Sequence, residues 1–232
     1  MLSLEGKVAL ITAAKGGLGT FVTNAFLEAG ATVAGVSRSI KDSDFPHPEF
    51  VGIPAELSTS DAARSVAAGV LSRFGRIDIL VHLLGAFAGG VPVAETDDKT
   101  FEQMIDLNLR STFYITKAVL PHMRNGSGGR LVAVGSRAAV DGNAGAGAYS
   151  ASKAALIAMM RAIAAENSDR CISANVVLPG TMDTPANRAA MPTADVSKWV
   201  QPSQVANLIV ALATDGLSQV NGAVVPVYGR EL

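Results

Sequence analysis

The sequence has few aromatic residues, a single cysteine and no long apolar run. Aromatic residues make up 5% of the 232 residues, and Cys171 is the only cysteine. One cysteine excludes an intrachain disulfide and is compatible with a reducing compartment. No apolar run approaches the roughly 18 residues that a membrane-spanning helix needs. Because the first predicted strand begins almost at once, a signal peptide has no room either, and we expect a soluble cytoplasmic protein.

Strong charge of one sign is also missing. The chain carries 19 basic and 20 acidic residues, for a net charge of −1. Without a basic stripe, nucleic acid is not an expected partner, and a small molecule is the expected substrate. His47, His82 and His122 lack metal-ligand spacing, so we expect no metal and a structural role for each. Cys171 opens an apolar run and is expected to be an inert core residue.

Apolar residues are abundant, at 49% of the chain, and their arrangement predicts the fold. Short runs rich in Val and Ile alternate with longer Ala- and Leu-rich segments of helical period. We place strands at 7–12, 32–36, 50–53, 77–83, 130–134, 172–178 and 223–227, and helices at 18–29, 61–74, 97–124 with a break near Asp106, 148–166 and 203–213. This alternation predicts a single α/β domain over residues 1–232, a Rossmann-type doubly wound sheet of about seven mostly parallel strands with helices on both faces.

A glycine-rich turn follows the first predicted strand. The segment from Thr12 to Gly19 reads Thr-Ala-Ala-Lys-Gly-Gly-Leu-Gly and opens the first predicted helix. Glycines let a backbone approach a pyrophosphate, and the free N–H groups at a helix start bind anions. Thr12, Lys15, Gly17, Leu18 and Gly19 are therefore candidate dinucleotide ligands, although a tight turn without a ligand is the alternative.

The end of the second strand indicates which nucleotide is bound. An acidic residue there would hold the ribose 2′-hydroxyl and repel a 2′-phosphate, but this chain has Ser37-Arg38. Arg38 can pair with a phosphate, Ser37 can donate to it, and Lys15 can add a second positive charge. The alternative is that Arg38 is simply solvated. Ser37 and Arg38 favour NADP(H) over NAD(H).

A tyrosine and a lysine four residues apart lie on one face of the predicted helix at 148–166. This spacing brings Tyr149 and Lys153 together, and Ser136 can reach them across the Gly/Ala-rich loop. An ordinary tyrosine pKa of about 10 is poorly matched to neutral pH, and lowering it by about three units requires roughly 4 kcal/mol. Lys153 and the positive nicotinamide of an oxidised cofactor are the expected source. A surface i,i+4 pair without chemistry is the alternative.

These motifs resemble those of the short-chain dehydrogenase/reductase family over essentially the whole chain. The Tyr-x-x-x-Lys pair is Tyr149-Ser-Ala-Ser-Lys153, with a serine, Ser136, thirteen residues ahead of the tyrosine. The family's asparagine after strand four falls on Asn108. Its Pro-Gly pair after strand six is Pro179-Gly180, followed by Thr184 where the family contacts the nicotinamide amide.

The resemblance implies an NAD(P)H-dependent oxidoreductase that transfers a hydride between the cofactor and a carbonyl/alcohol pair. Tyr149 would be the acid/base, and Ser136 would hold the substrate oxygen. Lys153 would bond the nicotinamide ribose, and Asn108 would order a water relay behind Lys153. The family also implies a homodimer or homotetramer through the helices at 97–124 and 148–166.

The chain departs from the family pattern in two places. Ala13 stands where the family has a glycine, so we expect a locally different turn with Gly16 as relief, because alanine tolerates positive φ poorly. His82-Leu-Leu-Gly85 replaces the family's Asn-Asn-Ala-Gly, which puts sheet packing in doubt more than catalysis. Gly85 remains a candidate cofactor contact, and Glu56 after strand three is the candidate adenine contact.

Three segments, 85–90, 139–142 and 183–188, are similar to dihydropteridine reductase, which reduces a quinonoid dihydropterin with NADH. Reduction of a quinonoid pterin is therefore an alternative function. That enzyme lacks the serine and asparagine found here as Ser136 and Asn108, which favours carbonyl or alcohol chemistry. A non-catalytic nucleotide-binding sensor is the second alternative. The substrate depends on the loop 181–202, where Trp199 either lines the pocket or anchors the loop.

Overall fold

The computed structural model describes residues 2–230, which form one seven-stranded sheet with helices on both faces. The strands are β1 (Val8–Thr12), β2 (Thr32–Ser37), β3 (Phe50–Pro54), β4 (Ile79–His82), β5 (Gly129–Val134), β6 (Ile172–Pro179) and β7 (Val224–Val227). The α-helices are α1 (Gly19–Glu28), α2 (Ser60–Phe74), α3 (Asp98–Ile105), α4 (Ser111–Asn125), α5 (Ala138–Asp141), α6 (Gly147–Glu166), α7 (Pro185–Ala190) and α8 (Pro202–Ala213). The predicted fold class is confirmed.

All neighbouring strands pair in parallel, in the order β3-β2-β1-β4-β5-β6-β7. The order reverses between β1 and β4, where Thr12 is in register with His82. A crevice forms outside the carboxyl ends of the strands at such a switch point, and ligands bind there in open α/β sheets. Among the predicted site residues, Arg38, Gly85, Ser136 and Gly180 follow β2, β4, β5 and β6 at this same edge.

The core has two layers, one on each face of the sheet. Leu10 of β1 packs with residues of α2, α4 and α6, whereas Ala9 and Ile11 pack with residues of α1 and α8. Successive side chains of a strand point to opposite faces, so a strand covered on both sides is apolar throughout. This explains why the strands read as continuous apolar runs.

Local signals in the sequence set the ends of α2. The Thr59 hydroxyl accepts a hydrogen bond from the backbone N–H of Ala62 at 3.1 Å, and Gly75 ends the helix with a φ of 75°. A side-chain cap satisfies a free N–H at the helix start, and glycine adopts the left-handed conformation without strain. Threonine and glycine are residue types typical of these two positions.

The expected break near Asp106 is a π-helical turn. Residues Asp106–Arg110 separate α3 from α4 and carry the buried Asn108. π-helical turns occur inside α-helices as single turns, frequently at functional sites. The break therefore places Asn108 at a defined irregularity of the backbone.

Two expectations about single residues are resolved by burial. The prediction that Cys171 is a core residue is wrong, because Cys171 is exposed and has a φ of 55°. It forms the turn before β6, and the buried run begins one residue later at Ile172. Trp199 is 6% exposed, beside Val200, whose N–H donates to the Thr181 carbonyl at 2.8 Å. Burial favours the anchoring role for Trp199.

Within residues 2–230 no helix is long and apolar enough to cross a membrane. The same described residues contain no group of three or more His, Cys, Asp or Glu side chains that could hold a metal ion.

Candidate active site

The glycine-rich turn leaves the end of β1 in a tight loop. A Cβ on Gly19 would lie 2.0 Å from the Ala13 carbonyl oxygen, so only glycine fits at the start of α1. Ala13 itself adopts a positive φ of 51°, and Gly16 is not among the residues with positive φ. The expectation that Gly16 relieves the strain is therefore wrong. Ala13 keeps the left-handed conformation that the family's glycine allows, at some cost in strain.

The three polar residues expected around a 2′-phosphate have different surroundings. The Lys15 ammonium is 2.8 Å from the Asp44 carboxylate. The backbone N–H of Lys15 donates to the Ser37 hydroxyl at 3.2 Å. The hydrogen bond with Lys15 is the main reason why the pKa of Asp44 is lowered. Arg38 is exposed and has no hydrogen bond or ion pair to any residue in the range 2–230. Arg38, rather than Lys15, is the cation left free to meet an anion. Glu56 is exposed just beyond the end of β3.

Tyr149 lies near the start of α6, and Ser136 lies just after β5. Burial is the larger influence on Tyr149 and raises the pKa of its phenol, while a side-chain hydrogen bond with Ser136 partly offsets the shift. The expected proximity of the two residues is therefore present. The expected lowering of the tyrosine pKa is not found in the protein alone, because burial disfavours the phenolate.

Lys153 is buried, at 5% exposure, and its ammonium donates to the carbonyl of Val134, the last residue of β5, at 2.8 Å. Burial lowers the pKa of Lys153 to about 8. A Cβ on Gly85 would lie 3.0 Å from the Lys153 ammonium nitrogen and 2.6 Å from Asn108 Oδ1. The two side chains therefore face the same small space, which only glycine leaves open.

The Asn108 amide is held by hydrogen bonds to Ala86 and Ser152. Its Oδ1 accepts from the Ala86 N–H at 3.0 Å, and its Nδ2 donates to the Ala86 carbonyl at 3.0 Å and to the Ser152 hydroxyl at 3.1 Å. Ser152 in turn donates to the Tyr149 carbonyl at 2.7 Å. Both amide hydrogens are thus used, and Asn108 fixes the loop after β4 against α6.

The segment after β6 closes over the glycine-rich turn. Pro179 ends β6, and the N–H of Gly180 donates to the Val227 carbonyl at 2.9 Å. Thr184 caps α7 by accepting from the Asn187 N–H at 3.2 Å. The Thr184 methyl carbon lies 3.4 Å from where a Cβ of Gly17 would be. A candidate contact for the pyrophosphate, Gly17, and a candidate contact for the nicotinamide, Thr184, therefore lie side by side.

A model of the short chain dehydrogenase family matches residues 7–195. The chain belongs to this family. It is 32% identical to a 3-oxoacyl-(acyl-carrier-protein) reductase of Thermotoga maritima, over 98% of each chain. It is 31% identical to a 2-dehydro-3-deoxy-D-gluconate 5-dehydrogenase of Pseudoalteromonas atlantica, over 98% of this chain and 96% of that one. The structure of a short-chain type dehydrogenase/reductase from Mycobacterium ulcerans superposes with a TM-score of 0.93 at 25% identity, covering 99% and 90% of the two chains.

In this short-chain dehydrogenase, three residues near the site were missed by sequence reasoning. Ser152 and Ala86 hold the Asn108 amide, and neither has a motif of its own. Phe87 meets the Tyr149 ring edge to face, with centroids 5.0 Å apart, and is 67% exposed. A lone aromatic in a glycine-rich loop of an aromatic-poor chain was the signal that could have identified Phe87.

Proposed function

We propose that this oxidoreductase transfers a hydride between NADP(H) and a carbonyl/alcohol pair, with Tyr149 as the acid/base. The observation that carries the proposal is the arrangement of Ser136, Tyr149, Lys153 and Asn108 at the carboxyl edge of β4 and β5. The names of the two relatives, a 3-oxoacyl reductase and a dehydrogenase, describe chemistry of this kind.

The residues of the crevice fit a dinucleotide. The start of α1, directly after the glycine-rich turn, can present backbone N–H groups to a pyrophosphate, and the exposed Arg38 has the charge to bind a 2′-phosphate. Lys15 can join Arg38 only by loosening its pair with Asp44. Glu56 would face the adenine, while Gly85, Pro179, Gly180 and Thr184 would line the nicotinamide end. When bound, the nicotinamide would supply or accept the hydride.

The protonation states favour reduction of a carbonyl. Because burial raises the pKa of Tyr149, its phenol is neutral at physiological pH and has a proton to donate. Ser136 holds the phenol and can hold the substrate oxygen beside it. Lys153, with a pKa of about 8, is mainly charged at pH 7 and stabilises negative charge in the site. Asn108 keeps the loop that borders Lys153 in place.

A quinonoid pterin is the second candidate substrate, and Phe87 is the observation that favours it. Its exposed ring beside Tyr149 offers a flat apolar surface on which a planar heterocycle could stack. A quinonoid pterin has no carbonyl that needs a serine-held alkoxide. Ser136 therefore distinguishes the two candidates.

The experiment compares NADPH oxidation with a panel of ketones and with quinonoid dihydropterin, using wild type and Ser136→Ala. We expect ketone reduction by the wild type and a loss of more than about tenfold in kcat/KM for Ser136→Ala. Ser173→Ala is the matched control, because the Ser173 hydroxyl is buried without a hydrogen-bond partner among the described residues. Turnover of the pterin alone, unaffected by Ser136→Ala, would support the second candidate. A sensor would oxidise NADPH with neither substrate class.

We also propose a cytoplasmic homodimer or homotetramer. Ala154, Ala158 and Ala162 are exposed at four-residue intervals along α6, and Phe113 is 46% exposed on α4. Small residues allow close helix approach, and an exposed aromatic gains from being covered. The single, exposed thiol of Cys171 fits a reducing compartment.

A further inference from the structure

The contacts of the Thr12 hydroxyl determine which nitrogen of His82 carries the hydrogen. Thr12 Oγ1 accepts from the backbone N–H groups of Leu83 at 3.0 Å and Leu84 at 3.2 Å, and it lies 3.0 Å from His82 Nδ1. A hydroxyl has two lone pairs and one hydrogen. Because both lone pairs are used, the hydrogen points to Nδ1, which must be the unprotonated nitrogen.

The other imidazole nitrogen continues the chain in the same direction. A neutral ring then carries its hydrogen on Nε2, which is 3.3 Å from Ser111 Oγ. The Ser111 hydroxyl donates to the Leu107 carbonyl at 2.7 Å. Thr12, His82 and Ser111 are 0%, 2% and 2% exposed, so water does not compete for these bonds. The hydrogen bonds therefore all point the same way: Thr12 donates to His82, His82 donates to Ser111, and Ser111 donates to the Leu107 carbonyl.

The two ends of this hydrogen-bond chain lie next to Asn108 and to the loop that contacts it. Leu107 directly precedes Asn108 in the π-helical turn. At the other end, the N–H groups held by Thr12 belong to the residues just before Gly85 and Ala86, and Ala86 binds the Asn108 amide through both its N–H and its carbonyl. His82 is the link that joins the loop after β4 to the π-helical turn.

We propose that His82 is a positioning residue. Its neutral Nε2–H imidazole connects β1 to the π-helical turn and so fixes Asn108 and the loop beside Lys153. Its kinetic consequence rests on the proposed function, whereas the proton assignment does not. His82 stands where the family pattern has asparagine, and its ring is long enough to join two hydroxyls on different elements.

The environment of His82 keeps the ring in one protonation state. Burial lowers its pKa to about 3, and the charge of Lys153 adds to this effect. Protonation would also place a second hydrogen on Nδ1, facing a Thr12 oxygen whose lone pairs are already used. The chain of hydrogen bonds is therefore expected to persist at any pH well above 3.

Nitrogen-15 NMR of the imidazoles in the wild-type protein tests the proton assignment directly. The His82 signal, identified by its absence in His82→Gln, is expected to show the Nε2–H tautomer unchanged from about pH 5 to 9. An Nδ1–H tautomer, or titration within that range, would overturn the proposal. This NMR measurement needs no turnover. A wild-type protein without activity would therefore refute the proposed function but leave the proton assignment of His82 untouched.

Kinetics test the positioning role. His82→Leu removes both hydrogen bonds, and we expect kcat for NADPH-dependent ketone reduction to fall about ten- to a hundredfold, the size of loss found for residues that orient metal ligands. His82→Gln keeps a donor and an acceptor and is expected to recover most of that loss. The dissociation constant of NADPH should stay within about threefold in both variants. Equal losses for Gln and Leu, or an unchanged kcat in the Leu variant, would contradict the role.

Discussion

Replacing the buried lysine of the site with methionine should make the nucleotide-free protein more stable while it removes activity. Lys153 has its pKa lowered from 10.5 to about 8 by burial. One pKa unit corresponds to about 1.4 kcal/mol, so keeping this ammonium charged at pH 7 costs the folded state about 3 kcal/mol. Methionine is unbranched and of similar length, so it can occupy the same space without a charge.

One hydrogen bond offsets part of this gain. The Lys153 ammonium donates to the Val134 carbonyl at 2.8 Å, and leaving that carbonyl unpaired costs about 1 kcal/mol. The net expectation is that Lys153→Met stabilises the protein by about 2 kcal/mol. For a chain of this length that raises Tm by roughly 4–8 °C.

The pH dependence of the stability difference between wild type and Lys153→Met shows whether the buried charge of Lys153 causes it. The folded-state pKa lies below the unfolded-state value, so the penalty is complete below pH 8, fades between pH 8 and 10.5, and vanishes above 10.5. Urea unfolding of wild type and Lys153→Met at pH 7 and pH 10 measures how the difference in unfolding free energy changes with pH. Lys99→Met, at an exposed position of α3, is the control and should change stability little. A Lys153→Met protein less stable than wild type at pH 7, or a difference independent of pH, would refute the reasoning.

Three further predictions concern the nucleotide site and the assembly. Gly19→Ala should abolish thermal stabilisation by NADPH, because its Cβ would lie 2.0 Å from the Ala13 carbonyl oxygen; Gly69→Ala in α2, with open space around it, should instead stabilise by about 0.5–1 kcal/mol. Arg38→Gln should weaken NADPH binding about tenfold and NADH binding less than twofold, measured by calorimetry; equal effects on both nucleotides would contradict the 2′-phosphate assignment. Sedimentation at micromolar concentration should give a dimer or tetramer mass, and a monomer mass would refute the proposed assembly.

The sheet and its helices were predictable because their signals are local. Continuous apolar runs indicated strands buried on both faces, and residue types typical of helix ends, Thr59 and Gly75, stand at the ends of α2. The break near Asp106 was also visible, although its π-helical form was not. The order of the candidate motifs along the chain was enough to place Asn108, Ser136, Tyr149 and Lys153 at one edge of the sheet.

What the sequence did not predict depends on contacts between distant segments. The Lys15–Asp44 pair joins the glycine-rich turn to a short 3₁₀ turn after β2, and no pattern links those residues. The expected lowering of the Tyr149 pKa is reversed in the protein alone, because the direction depends on how deeply the phenol is buried. The exposed turn at Cys171 was missed because one residue separates it from a buried strand.

The most direct test of the account is NADPH-dependent ketone reduction by wild type, Tyr149→Phe and Tyr114→Phe at neutral pH. Tyr114 lies on α4, outside the candidate site, and serves as the matched control. The account predicts that Tyr149→Phe loses at least about a hundredfold in kcat/KM, with NADPH binding within threefold of wild type, because the proton donor is gone. Tyr114→Phe should stay close to wild type. A Tyr149→Phe enzyme that reduces the same ketones within about threefold of the wild-type rate would contradict it.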